Sequence, residues 1–79
     1  MTAYIFDSDK FREELKRNIK RRGGYRKFAK ECGMSLGRLQ GYVKGTYSPR
    51  VDDFIAICNF MSIEPYYFID DDWYQKRMF

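Results

Sequence analysis

Basic side chains crowd the first fifty positions of this chain. Lys16, Arg17, Lys20, Arg21 and Arg22 fall in one stretch, and Arg26, Arg38, Lys44 and Arg50 follow at wider spacing. Residues 1–50 hold thirteen of the 15 Lys/Arg and five of the 11 acids, a net +8, whereas residues 51–79 are net −4. A basic front and an acidic back in so short a chain point to one face for a polyanion, with nucleic acid favoured over plain solvated surface. Other chemistries find little support. There is no His, hence no imidazole base, Ser-His triad or His-ligated metal. Two isolated cysteines, Cys32 and Cys58, are too few for a closed zinc site. Gly23-Gly24 lacks the pattern and strand context of a nucleotide loop. Asp70-Asp71-Asp72 read as solvated acid at a helix end rather than a cation site. Neither an enzyme, a cofactor nor a small-molecule ligand is expected.

The elements that position these residues must fit within 79 residues, enough for one domain with a thin core. A hydrophobic share of 44%, with seven Tyr, seven Phe and one Trp, marks a folding sequence. No apolar run approaches the roughly 18–20 residues that cross a bilayer. Met1 to Asp7 lack the basic start and apolar stretch of a secretory signal, so the expected location is the cytoplasm, away from membranes. There the cysteines are expected as core thiols, not a disulfide.

Thr2–Phe6 suit an extended segment, and Asp7, Ser8 and Asp9 offer N-caps. Phe11, Leu15, Ile19 and Arg22 recur at helical spacing until Gly23-Gly24 stop a first helix. A second helix is expected from Tyr25 to Cys32, with Phe28, Ala29 and Cys32 on one face. Gly33 suits a left-handed cap, and Ser35 an N-cap. A third helix follows, Leu36 to Lys44, turning Leu39, Tyr42 and Val43 inward, and Gly45 stops it. A fourth, Val51 to Met61, shows a wide stripe of Val51, Phe54, Ile55, Ile57, Cys58 and Met61. Asp52 and Asp53 in its first turn complement the helix dipole. Pro65 fits the start of a short fifth helix, Pro65 to Ile69. The aromatic tail 70–79 has three open readings: more helix, a strand beside Tyr4–Phe6, or a contact with a second subunit.

Two short helices joined at a glycine corner form a DNA-reading unit when the second presents its outer face to the major groove. Here the unit is residues 25–44. Phe28-Ala29, Cys32-Gly33-Met34-Ser35, Leu39, Tyr42, Gly45 and Pro49, with the stripe of the fourth helix and Ile63 to Ile69, resemble the phage repressor/Cro-type helix-turn-helix family, also called the xenobiotic-response-element type. The resemblance runs without gaps from about Tyr25 to Ile69. It implies an all-α, lambda-repressor-like bundle of five helices over residues 1–69, with short extended segments admissible at either end. It also implies a dimeric, sequence-specific repressor of phage, plasmid or bacterial type. The chain departs from the family in carrying Phe28 for Leu, Tyr25 for a phosphate-binding Gln, and Val43 for a Glu.

A helical wheel turns Leu36, Gly37, Gln40, Gly41 and Lys44 outward and leaves Arg38 on the rim. The resemblance implies base reading at Leu36, Gly37 and Gly41; the two glycines suit a close approach to the groove. Gln40 suits adenine, Arg38 suits guanine or a phosphate, and Leu36 suits a thymine methyl. Tyr25, Arg26, Lys44, Thr46, Tyr47 and Arg50 are the expected phosphate contacts. One recognition helix reads few bases, so a homodimer on an inverted-repeat operator is expected, with the tail as a dimer contact. The alternative is a protein-interaction module on the same fold, of antirepressor or antitoxin-like type, suggested by the sparse reading face and the aromatic tail.

Overall fold

A computed structural model describes residues 5–70. Helix α1 spans Ser8–Arg21 and is capped by Asp7, whose carboxylate accepts from the Lys10 backbone N–H at 3.0 Å. Asp9 in its first turn, with Lys20 and Arg21 in its last, match the helix dipole. The chain then turns through Gly23 and Gly24, at φ +103° and +104°, where a side chain would be strained.

Helix α2, Tyr25–Cys32, ends on Gly33 at φ +77°, and the Met34 N–H closes the corner on the Ala29 carbonyl at 3.0 Å. Ser35 caps helix α3, Leu36–Lys44, by accepting from the Arg38 N–H at 3.1 Å. Gly45 closes α3 in the same way as Gly33 closes α2, with the Thr46 N–H on the Gly41 carbonyl at 3.0 Å. Helix α4 spans Val51–Met61 and ends on Ser62, a non-glycine residue at φ +59°. The second, third and fourth helices keep the boundaries that their caps and periodicity predict, and α1 ends one residue early, with Arg22 as its C-cap.

The five-helix count needs correction. The fifth segment is a single 3-10 turn, Pro65–Phe68, and Ile69 leaves it in extended conformation. Phe68 is wholly buried, and a turn of four residues is enough to deliver it to the core. The β-branched Ile69 then begins strand β2, Ile69–Asp70, which pairs antiparallel with strand β1, Ile5–Phe6 (Ile5 opposite Asp70, Phe6 opposite Ile69). The Asp7 N–H extends the ladder to the Phe68 carbonyl at 2.7 Å. Residues 71–79, the rest of the aromatic tail, lie outside the described residues.

One core gathers Phe11, Leu15 and Ile19 of α1, Phe28 and Ala29 of α2, and Leu39, Tyr42 and Val43 of α3. Ile57, Cys58 and Met61 of α4 join it, with Met34 and Phe68. Rings of Phe6, Phe11, Phe54 and Phe68 close its lower end with centroids 5.3–6.2 Å apart. Asn18 is buried among these apolar groups with both polar ends satisfied, by the Glu14 carbonyl at 2.9 Å and the Arg21 guanidinium at 3.0 Å. Arg22, at the apolar spacing of α1, lays its guanidinium over the Phe60 ring, 4.6 Å from the centroid. The stripe of α4 is narrower than expected: Val51 is 79% exposed and Ile55 39%. These two lie one turn apart at the edge of the stripe, beyond the reach of α2 and the 3-10 turn that cover its centre. Cys32 and Cys58 are free thiols, and burial pushes both pKa values up to about 11. No helix among the described residues is long and apolar enough to cross a membrane.

Candidate nucleic-acid interface

The face of α3 opposite Leu39 and Val43 carries the residues that the sequence marks for contact. Gly37, Gln40 and Lys44 are exposed there, and Leu36 is half-buried at the edge. A side chain at Gly37 would meet open space, so nothing in the fold requires glycine at that position.

Gly41 does not match its expected place, because it is buried. The chain reverses at Gly45 and brings Tyr47 back across α3, so a Cβ at Gly41 would collide with the Tyr47 ring and hydroxyl. The Tyr47 hydroxyl points along the helix toward the Gly37 carbonyl, 3.5 Å away. Its ring stands edge-on to that of Tyr42, with centroids 5.5 Å apart. Packing of the protein's own side chain therefore accounts for this glycine.

Arg38, on the rim, has a partner within the fold. Its guanidinium holds Asp53 of α4 through two parallel hydrogen bonds, Nε to Oδ2 at 2.8 Å and Nη2 to Oδ1 at 2.9 Å. The Tyr42 hydroxyl donates to the same Oδ2. One edge of the guanidinium, Nε and Nη2, is thus committed within the molecule, while Nη1 makes no hydrogen bond among the described residues and the side chain stays partly exposed. Burial alone would raise the Asp53 pKa, but the hydrogen bonds from Tyr42 and Arg38 outweigh it and hold the carboxyl below its ordinary value. The hydrogen bond to Asp53 holds the Arg38 pKa up. Burial, followed by the bond to Asp53, raises that of Tyr42.

Sequence reading placed Asp53 in a dipole role and missed this trio. A signal was present: Asp53 lies one turn before Ile57 on the buried side of α4, and a core tyrosine needs a partner for its hydroxyl.

The expected phosphate-contacting residues are all at the surface. Tyr25 opens α2, and Arg26, Lys44, Thr46, Tyr47 and Arg50 are exposed around α2, α3 and the loop that follows. Among the described residues neither Arg26 nor Lys44 has a carboxylate within ion-pairing distance, and Arg50 has only a loose contact to Asp52 at 3.7 Å. Their charges are therefore open to an anionic partner. The α1 set divides: Lys16 and Lys20 are exposed, Arg17 pairs with Glu14 at 2.7 Å, and Arg21 and Arg22 turn to Asn18 and Phe60. Arg12, absent from the expected set, sits beside the end of α3, with Nη1 3.2 Å from where a Gly45 side chain would begin.

Among the described residues no three His, Cys, Asp or Glu side chains gather where they could hold a metal ion. A shallow apolar hollow of about 310 Å³ lies away from the outer face of α3, between Phe6, Pro49, Val51, Phe54 and Ile69. Comparison with family models, curated proteins and solved structures finds no match to this chain.

Proposed function

We propose that this protein is a sequence-specific, double-stranded-DNA-binding transcriptional regulator of lambda-repressor-like fold, a repressor of Cro type, that inserts α3 into the major groove. The observation that carries the reading is the α2–α3 unit. Its left-handed Gly33 corner joins two short helices, and Gly37, Gln40 and Lys44 stand exposed on the second, with Arg26, which has no carboxylate within ion-pairing distance among the described residues, nearby in sequence. Gln40 is the bidentate reader, and adenine is its natural partner. Gly37 brings the helix backbone close to the base edges, and Leu36 borders the contact. Tyr25, Arg26, Lys44, Thr46 and Arg50 hold the strands, and Arg38, anchored on Asp53 by one edge, offers its other edge to a guanine or phosphate at the rim. A homodimer on an inverted repeat supplies the specificity that one helix lacks.

The test is duplex binding by the full chain. Selection from a randomised library should yield a recurrent site, bound at nanomolar concentration with affinity that falls steeply as salt rises. The double variant Q40A/K44A should lose that binding while keeping its helical circular dichroism. Absence of duplex retention even at low ionic strength would reject the reading.

A second reading, a protein-interaction module, draws on different residues. Val51 at 79% exposure and Tyr66 at 74% are large apolar groups on the surface, and Val51 borders the apolar hollow. In that case the wild type would retain no duplex, and V51D would weaken partner or self-association.

A further inference from the structure

We propose that Tyr47 is a specificity-determining residue: its ring replaces the side chain that Gly41 lacks and contacts a base edge, favouring the methyl group of thymine. The proposal rests on the DNA-binding reading above and goes beyond it, because Tyr47 lies outside α3 and its expected partner was a phosphate.

The argument starts from the outer pole of α3. Gly37 and Gly41 stand one turn apart there, so the helix has no side chain of its own along that line. The Tyr47 ring fills it. A Cβ at Gly41 would collide with the ring's Cζ and hydroxyl and stand 2.8 Å from Cε2, so the hydroxyl end of the ring occupies the space over the Gly41 backbone. Its hydroxyl points to the Gly37 carbonyl at 3.5 Å, so the ring runs along the line of the two glycines.

The ring is also held in place. Tyr42 stands edge-on to it at 5.5 Å, and Tyr42 is itself fixed by its hydroxyl bond to Asp53. Yet Tyr47 remains 47% exposed. A residue serving only to plug the loop would gain nothing from that open half. An aromatic ring that is already ordered loses little conformational freedom on binding, which suits it to act as an anchor.

A helix that enters the major groove by this face takes the ring in with it. Carbon atoms of the ring then meet the groove floor, where thymine presents its C5-methyl and apolar contact is the available means of reading. Gln40, the neighbouring hydrogen-bonding reader, would take the adjacent base. The site so described pairs one polar readout with one methyl readout.

The experiment selects duplexes from a randomised library with the full-length wild type, Y47F, Y47A and G41A, and then replaces single thymines by deoxyuridine in the wild-type site. Wild type and Y47F should share a thymine preference, and deoxyuridine at that position should weaken wild-type binding about 4-fold, the worth of one buried methyl group. Y47A should bind the selected site about 5- to 100-fold more weakly, with the preference lost at that position alone and no response to deoxyuridine. G41A, whose methyl displaces the ring without altering it, should show the same local loss; thermal melting reports whether each variant is folded. If Y47A and G41A keep the wild-type preference at every position and lose affinity uniformly, Tyr47 is a phosphate contact or a strut and the proposal is overturned. If wild type selects no site at all, the DNA-binding reading fails and takes this proposal with it.

Discussion

Arg38 and Asp53, fifteen residues apart, tie the third helix to the start of the fourth through a two-pronged hydrogen bond of 2.8 and 2.9 Å. Asp53 is 6% exposed and its carboxylate also receives the Tyr42 hydroxyl, so this buried charge is hydrogen-bonded within the protein. The same pair fixes one edge of the rim arginine against α4, while Gln40 and Lys44 are the hydrogen-bonding side chains exposed on the outer face of α3.

Removing the carboxylate should therefore affect the fold first. D53A leaves the Tyr42 hydroxyl buried without its partner, and the expected loss of stability is about 1–3 kcal/mol. R38A should be milder than D53A, because the guanidinium is partly in water and Tyr42 still donates to Asp53. Urea denaturation followed by circular dichroism measures both. Equal and negligible losses would show that the trio contributes nothing.

The trio also sets two pH limits. The Asp53 pKa is lower folded than unfolded, where Asp titrates at about 3.9. Its contribution to stability is therefore complete above that unfolded value and is lost as pH falls through the lower folded one. The Tyr42 pKa is raised, so its contribution is present below the ordinary tyrosine value of about 10 and fades as pH climbs through the raised one. Urea midpoints measured across pH should show both limbs in the wild type. D53N should flatten the acid limb, and Y42F the alkaline one.

Gly33 and Gly37 lie four residues apart but should respond oppositely to alanine. Gly33 sits at φ +77° with open space around it, so G33A should cost about 1–2 kcal/mol from backbone strain alone. Gly37 is helical and equally open, so G37A should raise stability by up to about 1 kcal/mol. Thermal melts of the two variants decide this. Under the proposed function G37A should also weaken duplex binding, which would mark a position kept glycine against stability.

Lys44 lacks a carboxylate partner among the described residues, and K44A should lower the slope of log affinity against log salt by about one. Anisotropy titrations over a range of salt give the slope. An unchanged slope would remove Lys44 from the phosphate-contacting set.

Cys32 and Cys58, raised to about 11 by burial, should react slowly with a disulfide reagent at pH 8 in the native protein. Both should react promptly in urea. Fast native labelling would place a thiol at the surface.

The amino-acid sequence alone determined the four α-helices and their ends, because those features are local. Asp7, Gly33, Ser35 and Gly45 act on backbone groups within a turn of themselves, and the spacing of Phe11, Leu15 and Ile19 already defines a buried face. The placement of Gln40 and Lys44 on the outside of α3 was legible for the same reason. Tertiary structure decided what depends on distant neighbours. The crossing of α3 with α4 turned Arg38 to Asp53, the chain reversal at Gly45 laid Tyr47 over Gly41, and the approach of the two ends of the described chain made a strand pair of Ile5–Phe6 and Ile69–Asp70. Exposure of Val51 and Ile55 was hidden likewise, since a helix's periodicity marks its apolar side but not how much of that side a neighbour covers.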